Sequence, residues 1–238
     1  MDRIGARASA AAMYRALGIG VFELLWLASA SKKRRDAVLD RFVALDPLPE
    51  GAAVLGASHT GNWELAAAAV ARERSLYVVA KPFTSTWFDS FVARLRARLG
   101  IQTIDPQGAA RAVTRALRSG ALVVMPLDQV PDRSSHAVTA PFLGEHAYVD
   151  RAPFVLAQRA RAKVLVCGAW RDGEVHRIRA LGIASNPAEG TEMLDGFVRA
   201  HPEAWMWLHR RWRRPFDRLE SPAWTTPSSS PAAASRAA

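Results

Sequence analysis

The run Ser58-His59-Thr60-Gly61-Asn62-Trp63-Glu64 puts a histidine at the end of an apolar stretch and a carboxylate five positions later. Residues 52–57 read as a buried strand and residues 65–72 as an alanine-rich helix, with Gly61 and Asn62 marking the turn between them. On this reading His59 stands where the strand ends. Glu64 stands in the first helical turn, where the helix dipole favours an acid that can reach back to one imidazole nitrogen. The other nitrogen then accepts a proton from a hydroxyl, which is general-base acyl transfer to an alcohol without a serine. The same residues also suit an ordinary strand-to-helix turn, so other segments must decide.

Three further groups carry chemistry. Lys81 and Asp128 each follow an apolar run, at 76–80 and 121–126, as His59 does. Asp128 can bind a substrate or brace the site, and Gln129 stands beside it. Residues 130–149 read as a long polar loop holding Asp132, Arg133, His136 and His146, interrupted by Pro141-Phe142-Leu143-Gly144. On a helix over 87–99, Arg94 and Arg98 share a face while Arg96 points elsewhere. Arginine there suits bidentate phosphate contacts or an ordinary solvated face. Near the end, Trp205-Met206-Trp207-Leu208-His209-Arg210-Arg211-Trp212 mixes indoles with guanidinium groups. It fits a membrane interface and phosphates, or aromatic packing beneath arginine stems.

These residues need elements to position them. Apolar runs at 52–57, 76–80, 121–126, 163–169 and 175–181 alternate with helical patterns at 63–74, 87–99, 108–118, 152–161 and 191–199. The alternation argues for one layered α/β domain with a mostly parallel sheet flanked by helices. In such sheets sites sit at the carboxyl ends of strands. No GxGxxG or Walker loop is present, and no cofactor is expected. Residues 1–35 read as an amphipathic or interfacial helix with a basic linker, 36–220 as the catalytic domain, and 221–238 as a disordered Pro/Ser/Ala tail. Arg15 and Glu23 interrupt the apolar stretch 8–30, which on that count falls short of a spanning helix. The formal net charge of +10 and a pI near 10.9 suit an anionic partner. A single cysteine, Cys167, excludes an internal disulfide and reads as an inert core thiol.

Taken in order, His59-x4-Glu64, the arginine-rich helix ending at Gly100, Asp128-Gln129, the Pro141-Phe142-Leu143-Gly144 segment and Trp207-Leu208-His209-Arg210-Arg211-Trp212 resemble the bacterial lipid A biosynthesis acyltransferases. These are a branch of the lysophospholipid and glycerolipid acyltransferase superfamily, and the resemblance runs from about residue 13 to 215. It implies a glycerolipid acyltransferase-like fold with His59 as general base and Glu64 orienting it. The acyl donor would be an acyl carrier protein or acyl-CoA thioester, and the acceptor a hydroxyl of a lipid A precursor. It further implies head-group or substrate contacts from Arg96, Arg98 and the Asp128-Gln129 box, and a structural and head-group role for His209, Arg210 and Arg211; Asn62 and Lys81, beside strand ends, are further expected substrate contacts. No metal is expected. The box at Asp128 departs from the family in carrying Val130 where a second acid often stands. Peripheral attachment at the cytoplasmic face of the inner membrane, against an anionic lipid surface, follows as an expectation.

Three alternatives remain at this level. The acceptor can be a lysophospholipid or an aminolipid. Basicity alone would fit a nucleic-acid binder, against which no helix-turn-helix, zinc finger or RNP-like segment is evident, so nucleic acid is not an expected partner. A metal hydrolase would draw on His59, Glu64, Asp128, His136 and His146, whose spacing matches no zinc signature.

Overall fold

The computed structural model describes residues 3–213; the expected tail at 221–238 lies outside them. The chain opens with two helices, α1 (Arg3–Ser29) and α2 (Lys32–Phe42), then a short strand β1 (Val43–Leu45). An alternating stretch follows: β2 (Ala53–Ala57), α3 (Trp63–Glu73), β3 (Leu76–Val79), α4 (Thr86–Arg98), β4 (Ile101–Ile104), α5 (Ala109–Arg118) and β5 (Leu122–Pro126). A hairpin comes next, β6 (Ala137–Phe142) with β7 (Glu145–Asp150). Then come α6 (Ala152–Ala160), β8 (Lys163–Asp172), β9 (Val175–Ala184) and α7 (Pro187–Ala200).

Seven strands form one sheet in the order β1-β9-β8-β2-β5-β3-β4, and the pairing is parallel throughout except between β8 and β9. Both faces are covered. Val54, Val123, Met125, Val164 and Val166 pack against α5, α6 and α7. Their alternate neighbours Ala53, Leu55 and Leu122 face Val70 of α3 on the other side. A parallel sheet buried on two faces explains why these strands read as continuous apolar runs instead of alternating ones.

The expected α/β class is what is found, and the differences are local. The segment 130–149 is not a structureless loop. It holds a turn of 3-10 helix, Ser134–His136, and the β6–β7 hairpin. Leu143 and Gly144 form its two-residue tip, both with positive φ, the geometry that matches the twist of paired strands. A leucine there gives no sequence signal, because that backbone region normally calls for Gly or Asn. Lys32 to Arg35, expected as a linker, opens α2 instead. Ser31 caps that helix, and Arg35 is buried with its guanidinium donating to Ala30 O at 2.8 Å.

Within α1, Ala8–Ser29 is long and apolar enough to cross a membrane, with a mean hydropathy of 1.4, so the expectation that it falls short on this count is not upheld. Its inner side packs on the domain: Leu27 is fully buried among Leu39, Leu65 and Leu95. Arg98 of α4 donates to the carbonyls of Ala28 and Ala30, meeting the orphan acceptors at the helix end. Truncating Leu27 to alanine therefore removes a packed anchor. It should lower unfolding free energy by about 2–5 kcal/mol in a denaturant titration, whereas a change within ~0.5 kcal/mol would mean that α1 is not docked as described.

Candidate active site

The sheet register brings the two key side chains together. β2 and β5 are parallel neighbours, with Ala57 opposite Pro126. Two residues beyond each strand end stand His59 and Asp128. Asp128 is 1% exposed and accepts three hydrogen bonds. His59 Nδ1 donates to Oδ1 at 3.0 Å, the His59 backbone N–H donates to Oδ2 at 2.7 Å, and Trp205 Nε1 donates to Oδ2 at 3.0 Å. A buried carboxylate facing Nδ1 fixes the tautomer with the proton on Nδ1 and leaves Nε2 as the acceptor. Gln129 Nε2 lies 3.4 Å from that nitrogen. The ring keeps 23% of its side-chain surface exposed, so a substrate can reach it.

The turn carrying His59 is tied down from two sides. On one side, Gly61 N–H donates to Ala204 O at 2.9 Å, Met206 N–H donates to His59 O at 2.9 Å, and Thr60 pairs with Trp205. On the other, Ala169 N–H of β8 donates to Thr60 Oγ1 at 3.1 Å. Gly61 has φ +57°, and a Cβ there would sit 2.9 Å from Ala169 O. Both the conformation and the close approach demand glycine.

The acid hydrogen-bonded to the imidazole is Asp128, and the expected reach of Glu64 to the ring is not made. Glu64 is buried in the first turn of α3 and faces Arg96, whose Nε lies 3.2 and 3.1 Å from its two oxygens. Arg96 of α4 engages both oxygens of the carboxylate. A buried carboxylate needs a partner, and Arg96 supplies it.

Electrostatics follow from the pairing. Burial alone would raise the Asp128 carboxyl, but the charge and hydrogen bonds of His59 hold it down at about 2. For His59, burial works to lower the imidazole, while the charge and hydrogen bond of Asp128 and the nearby charge of Glu64 outweigh it, so the net direction is upward from 6.5. His209 stacks edge-on against His59 with ring centroids 4.6 Å apart, and burial pushes its pKa down.

Several residues expected to bind substrate are committed internally. Arg96 pairs with Glu64, and Arg98 serves the end of α1. Asn62 caps α3 through Oδ1, accepting from Leu65 N–H at 3.0 Å, and gives its amide to Glu23. Arg211 is 1% exposed, donates to the carbonyls of Tyr148, Gln129 and Leu127, and lies over the Phe142 ring. Burial lowers its pKa to about 10, so it remains a cation that locks the Asp128 loop to the hairpin. Lys81 stands past the end of β3, partly exposed and paired with Asp132 at 2.7 Å; Arg94 and Arg210 are exposed. Trp205 and Glu23, absent from the expected set, both belong to the site's framework. Only the placement of Trp205 in an aromatic-rich terminal box hinted at either.

His59, Asp128 and His209 each offer a ligand atom within 4.8 Å of the others, the spacing of a possible cation site. The donor set fits poorly, because both Asp128 oxygens already accept N–H groups and a cation would have to displace them. His136 and His146 belong to the 3-10 turn and the hairpin and are not in this cluster.

The charge relation gives a direct check. Replacing Asp128 with asparagine removes the interaction that raises the imidazole, and burial then dominates. An NMR titration of His59 should move from above 6.5 in the wild type to below it in Asp128→Asn; an unchanged midpoint would contradict the pairing.

A search of curated proteins found no match to this chain. The model of one family, described as bacterial lipid A biosynthesis acyltransferase, matches residues 7–214 and so spans the whole arrangement from α1 to the terminal tryptophan and arginine box. With a match of that extent, the chain belongs to the bacterial lipid A biosynthesis acyltransferase family, and it is an acyltransferase.

Proposed function

We propose that this enzyme moves a fatty acyl group from an acyl carrier protein or acyl-CoA thioester to a hydroxyl of a lipid A precursor, with His59 as general base and Asp128 orienting it. The observation that carries this reading is the imidazole itself. Asp128 holds the Nδ1 proton, and Nε2 presents a lone pair at the carboxyl end of the sheet. The acceptor O–H gives its proton to Nε2 while its oxygen forms a bond to the thioester carbon. Collapse of the tetrahedral intermediate breaks the C–S bond, and the thiolate takes the proton back from the imidazolium. Asp128 lowers the cost of the transient positive ring and keeps it oriented. No step needs a cofactor.

An apolar cavity of about 110 Å³ beside the turn supports acyl chemistry. Ser58 and Thr60, which flank His59, form part of its wall, and Leu55, Val70, Val124 and Leu165 extend it between α3 and the sheet. The aliphatic part of this lining suits a hydrocarbon chain. The buried Glu64–Arg96 pair closes another part of the wall. Head-group phosphates would then be met by cations left free at the surface, Arg94 and Arg210, together with Lys81 beside Asp132.

Peripheral attachment at the cytoplasmic face of the inner membrane is part of this proposal; the outer side of α1 supports contact with a membrane. Tyr14, Gly18, Val21, Phe22 and Leu25 recur at helical spacing and are all exposed. Lys32, Lys33 and Arg34, exposed at the start of α2, add charge for anionic lipid.

Incubation with acyl-CoA or acyl carrier protein thioesters and candidate acceptors, read by lipid mass spectrometry, tests the reading. One acyl mass added to a lipid A precursor is the expected product. Addition to a lysophospholipid or an aminolipid instead would replace the acceptor, and no acyl product would overturn the proposal. His59→Ala should reduce turnover by about 10²–10⁴-fold in a folded protein. Because the base must be neutral, kcat/KM should rise with pH through an apparent pKa above 6.5; a flat profile between pH 5 and 8 would contradict the assigned role.

A further inference from the structure

Among the residues of α1, Glu23 is the one carboxylate, and it sits in an otherwise apolar stretch. A charge in that setting requires partners, and it has three. Arg171 donates to Oε1, His176 Nε2 lies 3.0 Å from the same oxygen, and Asn62 Nδ2 donates to Oε2 at 2.7 Å. Burial and the Arg171 charge hold His176 down at about 4, so Arg171 alone compensates the carboxylate at neutral pH. The Asn62 contact is therefore not needed for charge balance, and its consequence lies elsewhere.

Asn62 is the last residue of the turn that carries His59. Its Oδ1 caps α3 and its Nδ2 is held by Glu23, so both ends of the amide are fixed. The turn is secured elsewhere by Asp128, Ala169, Ala204 and Met206, and Glu23 supplies a further tie, from a helix nearly 40 residues upstream in sequence. Without the carboxylate, the Asn62 amide is free to rotate out of its cap, and the junction between His59 and α3 loosens.

We propose that Glu23 is a positioning residue for the His59 turn, acting through Asn62, so that α1 forms part of the catalytic unit and does more than tether it. This rests on the reading of His59 as general base. Sub-ångström placement of a base relative to the reacting oxygen governs rate far more than binding, so the effect belongs in kcat.

The full chain and the variants Glu23→Ala, Glu23→Gln, Asn62→Ala and the double variant Glu23→Ala/Asn62→Ala provide the test. Each is measured for kcat and KM with the donor and acceptor pair that the lipid-product assay yields, and by NMR of ¹⁵N-histidine-labelled protein. Glu23→Ala and Asn62→Ala should each lower kcat roughly tenfold or more with KM little changed, and the double variant should be no worse than Asn62→Ala. Glu23→Gln retains an acceptor for Asn62 and should recover part of the rate; it also keeps the test open should Glu23→Ala fold poorly. Wild-type kcat in Glu23→Ala, or losses that multiply in the double variant, would overturn the role. If the wild type transfers no acyl group to any acceptor, the reading of function fails. The NMR arm then decides alone: His59 ring resonances displaced in the Glu23 variants uphold the positioning, and unchanged resonances reject it.

Discussion

The arrangement depends on one buried charge. Asp128 is removed from water just past the end of β5, and an ionised carboxylate there is tolerated only when its oxygens are filled with donors. Its three donors come from two separate segments: the His59 backbone and ring from the turn after β2, and the Trp205 indole from the chain after α7. Satisfying the carboxylate thus fixes the backbone of the turn, the orientation of the imidazole and the path of the terminal segment together. Arg211 reinforces the same point from below, since its buried guanidinium holds the carbonyls on either side of Asp128. Arg211, expected from sequence to have a structural and head-group role, is here a clamp on the loop bearing the acid.

Much of this frame was legible in the residues. The strands fully buried on both faces announced themselves as apolar runs, and the helices between them as alanine- or arginine-rich periodic segments, because a parallel sheet leaves little ambiguity about what is inside. His59 and Asp128 were each recognisable as polar residues just past a strand. Their pairing was not, since it requires knowing that β2 and β5 are neighbours, with Ala57 opposite Pro126. Glu64 looked the nearer acid because sequence distance is not spatial distance. The hairpin at 137–150 was hidden by the Leu143 tip and by Pro141. β4 exposes its two middle residues and so shows no apolar run, and β1 has only three residues.

The division of cations is equally physical. Arginines with burial, Arg35, Arg96 and Arg211, have been taken up by carbonyls or by a carboxylate, while Arg94 and Arg210 remain at the surface. A strongly basic chain therefore has fewer free cations around its site than its composition suggests. The exposed stripe on α1 and the inward-facing Glu23 divide that helix into two roles, an apolar side open to its surroundings and a polar contact reaching the catalytic turn.

The account stands on which acid holds the imidazole. Comparing acyl transfer by Asp128→Asn and Glu64→Gln, with the His59 Nδ1 proton followed by ¹⁵N NMR, addresses it most directly. The Nδ1–H signal hydrogen-bonded to a carboxylate should persist in Glu64→Gln and vanish in Asp128→Asn, with activity lost alongside it. Survival of that signal in Asp128→Asn, and its disappearance in Glu64→Gln, would contradict the account.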